Sequence, residues 1–313
     1  MRSRPFVVGF LTVAVVATTL LRFLNQKSSA SPRILGATVT TLAKTTAREL
    51  KVIHPPQRNV VPNPNIQAQA VYLIDVESGY PLYAYNENEP VAIASTTKIM
   101  TAIIALESYQ MDEVVTVSQS AAQAIGSNIN LVEGEKITVD SLIKGLLIQS
   151  GNDAAIALAE HMTNERFVDA MNEKARLLSL TETKFKDPAG LDDTGHASAR
   201  DLGILAAYAL RNDAIRGIAH LKSAVVSSVD QKNVHQLETS NRLLKEDHPL
   251  YLADATGLKT GFTPEAGHSL VASAERNGHQ VVSVVLGTAE NTTEASAKES
   301  RKLLLWALNG FSW

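Results

Sequence analysis

The feature that most limits the fold is a change of hydrophobic period along the chain. Val71-Tyr-Leu-Ile-Asp75 and Pro81-Leu-Tyr-Ala-Tyr85 are apolar, aromatic-rich runs on either side of Ser78-Gly79, which predicts a hairpin. From Ser95 onward the period becomes helical, with Ile99, Met100, Ile103, Ile104 and Leu106 on three- and four-residue steps. Further helices are predicted over 139–148, 153–162, 164–178 and 198–210. The last opens on Ser198 with Asp201 three residues on, a capping box with aspartate in place of glutamate. Beyond Lys222 the pattern returns to strands at 224–229, 269–274 and 281–287, with Asn277-Gly278 as the turn between the last two. A helix over 293–308 closes the chain. Strands at both ends with helices between them predict an α+β fold: an antiparallel β-sheet flanked by helices, with an inserted all-helical lobe.

Ahead of this folded part lie two segments of different character. Arg2 and Arg4 precede an apolar run from Phe6 to Leu21, which Arg22 ends. A basic start followed by such a run reads as an export signal over residues 1–26, either a cleaved signal peptide or a retained signal anchor. The run is slightly short of the roughly 20 residues of a spanning helix, and Ser28-Ser29-Ala30 offers small residues for cleavage. Residues 27–66 are Ser- and Thr-rich and then carry Pro55, Pro56, Pro62 and Pro64. Proline at this density favours extended backbone, which predicts a tether to a folded domain over 67–313.

Composition excludes several classes. Of 313 residues 45% are hydrophobic and 19% charged, enough for a sizeable core and against general disorder. A net charge of -3 gives no electrostatic case for nucleic acid. The absence of cysteine removes disulfides, thiolate nucleophiles and zinc ribbons. The histidines form no H-x-x-x-H ligand pair and read as surface or core residues.

Three short motifs stand in order: Ser95-Thr-Thr-Lys98, Ser150-Gly-Asn152 and Lys259-Thr-Gly261. S-x-x-K alone means little, because Ser141-Leu-Ile-Lys144 also fits. Ser141, however, falls inside an amphipathic helix, whereas Ser95 opens a helix after a loop carrying Pro90. At a helix start, unpaired N–H groups and the positive end of the dipole face the hydroxyl. Three residues is nearly one turn, so Lys98 shares the face of Ser95. A serine hydroxyl needs a base to take its proton, and a lysine serves only if burial or a second cation lowers its pKa. Lys259 supplies that cation if its strand lies beside the helix. The two lysines would also attract a substrate carboxylate, with Thr260 as a hydrogen-bond donor and Gly261 permitting close approach. Singly, Ser150-Gly-Asn152 reads as a helix-to-helix turn and Lys259-Thr-Gly261 as a strand entry.

Together these motifs resemble those of the serine-type D-alanyl-D-alanine carboxypeptidases, low-molecular-mass penicillin-binding proteins with a DD-peptidase and β-lactamase-like fold. S-x-x-K and K-T-G are an established signature of that group, so this is recognition by motif. The likeness runs from about Gln69 to Leu308 and takes in 93–101, 142–160, Asp187-Pro-Ala-Gly-Leu191, Ser198-Ala-Arg-Asp-Leu202 and 257–267. The resemblance implies that Ser95 is the nucleophile and forms an acyl-ester, with Lys98 as general base and Ser150 as proton relay. It implies that Asn152 binds the substrate backbone, that Lys259 and Thr260 hold the terminal carboxylate beside Gly261, and that the N–H groups of Ser95 and Phe262 form the oxyanion hole. Peptidoglycan stem peptides would be the substrate, β-lactam antibiotics covalent inhibitors, and the location extracytoplasmic, with no metal or organic cofactor; the N-terminal segment, if it stays uncleaved, would be the membrane anchor.

In two respects the sequence departs from the group. Many of its members place a carboxylate-binding arginine near the start of the final helix; here that stretch reads Asn291-Thr-Thr-Glu294, and Arg301 is the first arginine beyond it. Some relatives carry a further β-rich C-terminal domain and an amphipathic helix, and the present sequence stops at Trp313. The alternative reading is a DD-endopeptidase of peptidoglycan cross-links, which the segment 262–268 resembles. A β-lactamase would need a second base near 184–188, where no glutamate stands. A non-catalytic penicillin-binding sensor would tolerate relaxed motifs, and all three are intact.

Overall fold

Five strands build the main sheet: β1 (Ala68–Asp75), β2 (Pro81–Tyr85), β3 (Ala255–Thr263), β4 (Gly267–Arg276) and β5 (His279–Thr288). They belong to a computed structural model that describes residues 54–313. Pairing is antiparallel throughout, in the order β3-β4-β5-β1-β2. The first strand therefore lies inside the sheet, and β3, which carries the third motif, forms one edge. Asn277 and Gly278 both have positive φ, 55° and 79°, and Arg276 pairs with His279 across them. That is the primed two-residue turn whose twist matches its strands.

Both faces of the sheet are covered. Along β1, Tyr72 and Ile74 enter one core with Val282 and Val284, while Val71 and Leu73 enter a second with Leu270 and Val285. A strand buried on both sides reads as a continuous apolar run, as this one does. Each such side chain contributes about 1.5–3 kcal/mol of burial. Helix α1 (Lys98–Ser108), α2 (Val139–Lys144), α3 (Asn152–Glu160), α4 (Asn164–Leu177) and α5 (Ala199–Ala209) form the lobe inserted between β2 and β3. The opposite face is covered by α6 (Ala295–Gly310). Helix α1 is buried on all sides from Lys98 to Ala105, more than a single apolar stripe would require. Its first residue, a lysine, is thereby carried into the interior. Ser198 Oγ accepts the Asp201 N–H at 3.1 Å, the cap read from the sequence.

The structure differs from the sequence reading in three places. The helix predicted over 139–148 gives way at Gly145 to a π-helical turn, Gly145–Gln149, which ends at Ser150 in the left-handed region, φ 69°. A Cβ on Gly145 would lie 2.6 Å from Ile129 Cδ1, so the missing side chain lets a neighbouring loop press against the turn. Secondly, Ser223–Ser227 pairs with a strand at Val234–Glu238 that its mostly polar sequence had not signalled. Thirdly, the described end of the expected tether packs on the folded unit. Gln57–Arg58 pair with Phe311–Ser312, Pro62 O accepts from Trp306 Nε1 at 2.7 Å, and Ile66 is buried. The prolines keep this segment extended along α6 and do not lead it away from the domain. The export segment over 1–26 and the first part of the tether lie outside the described residues. Among the described residues no helix is long and apolar enough to cross a membrane.

Candidate active site

Ser95 lies in a 3₁₀ turn, Ala94–Thr97, that runs directly into α1. Side chains three residues apart eclipse in such a turn, and Lys98 Nζ reaches Ser95 Oγ at 2.7 Å. The same ammonium nitrogen contacts Asn152 Oδ1 at 2.6 Å and Ala189 O at 2.7 Å. Burial of Lys98 drives its pKa down to about 7, against the opposing pull of the Asp187 and Asp153 carboxylates. Once neutral, the amine has two hydrogens and one lone pair. Ala189 O and Asn152 Oδ1 can only accept, so they take both hydrogens. The lone pair then faces the Ser95 hydroxyl, as a general base requires.

Each of these acceptors is fixed by its own scaffold. Asp187 accepts the backbone N–H groups of Ala189 (2.7 Å), Gly190 (2.7 Å), Leu191 (3.0 Å) and Asp192 (2.8 Å), and this wraps the loop around one carboxylate. Thr101 Oγ1 ties the preceding carbonyl, Pro188 O, to α1 at 2.6 Å. Gly190 (φ 75°) lies so close to the nucleophile turn that a Cβ would sit 1.9 Å from Ala94 O. On the other side, the Asn152 amide donates from Nδ2 to Ile125 O at 2.6 Å, which fixes its orientation and leaves one hydrogen for a ligand. Asp153, also buried, accepts the N–H groups of Ile129 (3.0 Å) and Leu131 (3.1 Å), holding the 125–131 loop against α3. Buried Ser150 and Asn152 both face the resulting cleft.

The third motif enters along the edge strand β3. A Cβ on Gly261 would come within 3.1 Å of Ile93 O and of Thr96 Cγ2, so only glycine allows β3 this close to the nucleophile turn. Thr260 Oγ1 shares a 2.7 Å hydrogen bond with Ser240 Oγ. Lys259, expected in the cleft itself, is buried beneath it and donates to Thr260 O at 2.8 Å. Burial, with the charge of Lys98 added, pushes its pKa well below the usual lysine range. The cleft has a volume of about 470 Å³ and is bordered by Ser95, Ser150, Asn152, Ser240, Thr260 and Gly261, among others. Phe262, half-exposed at its edge, stacks on His268 with ring centroids 4.3 Å apart.

The family model for D-alanyl-D-alanine carboxypeptidase matches residues 57–290. This chain belongs to that family. As a family member it is 37% identical over 246 residues to D-alanyl-D-alanine carboxypeptidase DacF of Bacillus subtilis, covering 76% of this chain and 61% of the relative. To DacD of Escherichia coli it is 34% identical over 267 residues, covering 80% of this chain and 65% of the relative. The chain thus spans less than two thirds of the length of these curated relatives. Among solved structures, the Streptomyces K15 DD-transpeptidase superposes with a TM-score of 0.74 at 28% identity, over 80% of this chain and all of that one. DacD from Francisella tularensis gives 0.72 at 30% identity, over 80% of this chain and 73% of the other.

In this carboxypeptidase-family fold the three motifs converge as the sequence order suggested. The rival S-x-x-K does not take part: Lys144 pairs with Asp140 at 2.6 Å, and the Ser141 N–H is taken up by the N-cap hydroxyl of Thr138 at 3.3 Å. Sequence reasoning missed what holds the acceptors. Asp187 and Ala189 lie in a segment noted for its likeness but given no role. Ser240 and Arg242 carried no signal, because nothing local marks a residue that borders a cleft assembled from distant strands. Arg301, the arginine nearest the expected carboxylate position, donates to Tyr251 O at 3.3 Å, while Thr293 and Ser296 border the cleft.

Proposed function

We propose that this chain is a serine D-alanyl-D-alanine carboxypeptidase that removes the terminal D-alanine of peptidoglycan stem peptides through a Ser95 acyl-enzyme. The carrying observation is the Lys98 amine, desolvated and hemmed by two obligate acceptors, with its lone pair left to Ser95. In this reading Lys98 takes the Ser95 proton as Oγ attacks the carbonyl between the two D-alanines. The N–H groups of Ser95 and Phe262 receive the oxyanion, a kind of site where losing one donor costs about 10²–10³ in rate. Ser150 passes the proton to the departing amine, and the remaining Asn152 hydrogen meets the peptide backbone. Thr260 binds the terminal carboxylate; Lys259 acts from below, orienting Thr260 and opposing the protonation of Lys98. Water releases the acyl group, and β-lactams trap the same serine. Such substrates lie outside the cytoplasmic membrane, so residues 1–26 act as export signal or anchor, followed by the Pro- and Thr-rich tether.

Mass spectrometry of purified muropeptides after incubation tests the reading. Free D-alanine released from pentapeptide, with cross-linked dimer left intact, is the expected result. Dimer cleavage alone would make the chain a DD-endopeptidase, and rapid nitrocefin turnover without lasting acylation a β-lactamase. Ser95→Ala should abolish both labelling by fluorescent penicillin and peptide cleavage; labelling that survives would overturn the nucleophile assignment.

A further inference from the structure

Between Ala122 and Lys136 the chain forms neither helix nor strand, yet this stretch holds the asparagine of the second motif. Asn152 donates its backbone N–H to Ser127 O at 2.7 Å and its Nδ2 to Ile125 O at 2.6 Å. A Cβ on Gly126 would come within 2.9 Å of Asn152 Nδ2, and Gly126 and Ser127 both border the cleft. A loop without a ladder of its own keeps such a position only if its backbone groups are tied elsewhere. Ile129 supplies the tie. Asp153 accepts its N–H at 3.0 Å, and His235 Nδ1 lies 2.9 Å from its carbonyl oxygen. A carbonyl oxygen can only accept, so the Nδ1 hydrogen is committed to Ile129. The other ring nitrogen, Nε2, faces Glu135 Oε1 at 2.8 Å, while Glu135 Oε2 accepts the Val132 N–H at 3.0 Å. Both residues are buried, His235 6% and Glu135 5% exposed. The carboxylate thus orients the ring from behind, because the bond made by one imidazole nitrogen settles what the other can do. The histidine comes from Val234–Glu238, the strand on which His235 and Leu237 face inward.

We infer that His235, oriented by Glu135, is a positioning residue for substrate recognition: it fixes Ile129, and with it the loop that aims the Asn152 amide at the acyl-amide carbonyl of the substrate. The proposal rests on the reading of Asn152 as the group that meets the peptide backbone, and one readout of its test is independent of that reading. His235→Gln and His235→Asn divide the two contacts of the ring. A glutamine nitrogen reaches where Nε2 stood and keeps Glu135, whereas an asparagine nitrogen reaches where Nδ1 stood and keeps Ile129 O. Adding Glu135→Gln to His235→Asn removes the buried carboxylate that the asparagine leaves unpaired.

The experiment compares these variants with wild type and Asn152→Ala, all below their melting temperatures. Ser95 acylation is timed with benzylpenicillin, which carries the acyl amide, and with 6-aminopenicillanic acid, which lacks it. In parallel, hydrogen exchange of the Asn152 side-chain amide is followed by NMR on protein labelled in its asparagines, the signal being identified by its loss in Asn152→Ala. His235→Gln should lower the ratio of the two acylation rates about 10-fold, towards that of Asn152→Ala, and speed exchange of the Asn152 amide. His235→Asn, alone or with Glu135→Gln, should keep the ratio within about threefold of wild type and keep the amide protected, although His235→Asn alone is the less stable protein. A purely structural role gives the reverse order, with losses that follow melting temperature and are equal on the two penicillins. That result, or an unchanged ratio and amide in His235→Gln, overturns the proposal. If wild type and Asn152→Ala share one ratio, the reading of Asn152 fails, and the amide exchange still decides whether His235 holds it in place.

Discussion

The protonation of Lys98 gives the most exacting test of the site. An ordinary lysine at pKa 10.5 that is lowered to about 7 has lost about 3.5 units, or about 5 kcal/mol, against its charged form. At pH 7 that leaves about half the molecules with a neutral amine, where an unshifted lysine would leave about one in 3,000. Neutral amine is the form whose lone pair faces Ser95, so activity should be lost as pH falls through about 7. The second-order rate of Ser95 acylation by fluorescent penicillin, followed from two units below this value to two units above, should rise about tenfold per unit and then level off. The penicillin carboxylate titrates far below this window and does not interfere. Stability carries a second signature. Above the folded pKa and below the unfolded one, the unfolded chain holds a proton that the folded chain lacks, so stability should rise with pH between about 7 and 10.5. Lys98→Met should flatten that slope. A flat acylation profile, or a rate that keeps climbing into the ordinary lysine range, would refute the argument.

Three other outcomes follow from the scaffold. Asp153→Asn removes a carboxylate that favours the Lys98 ammonium, so the acylation inflection should move below pH 7, with about 1–3 kcal/mol lost in urea unfolding; an upward shift contradicts the assigned electrostatics. Gly190→Ala places a Cβ 1.9 Å from Ala94 O at φ 75°, and displacing the nucleophile turn should lower acylation about 100-fold, a loss that unchanged labelling would disprove. His235 bridges Ile129 O at 2.9 Å and the buried Glu135 carboxylate at 2.8 Å, so His235→Phe should cost about 3–5 kcal/mol, read as a fall in melting temperature; a smaller change would mean that Glu135 finds another partner.

What the sequence made legible was whatever depends on local period or on contiguous motifs. The β4–β5 hairpin was readable because Asn277-Gly278 supports one turn geometry, and the cap of α5 because Ser198 and Asp201 are three residues apart. The strand at Val234–Glu238 was not, because its stability comes from pairing with Ser223–Ser227 and not from its own composition. The break in the second lobe helix was hidden for a similar reason: Gly145 permits a π-turn, but the press of Ile129 comes from a distant loop.

The same division runs through the site. Ser95 and Lys98 are three residues apart, so their contact was implied by any helical turn. Lys259 was read as a second cation sharing the cleft with Lys98, provided that its strand lies beside the helix. Successive side chains on a strand point to opposite sides, however, so with Thr260 facing the cleft, Lys259 faces the interior and is buried there. Burial there, with the charge of Lys98 added, pushes its pKa well below the usual lysine range. Ser240, from a segment with no motif of its own, reaches Thr260 through its hydroxyl, a contact that no local pattern announces.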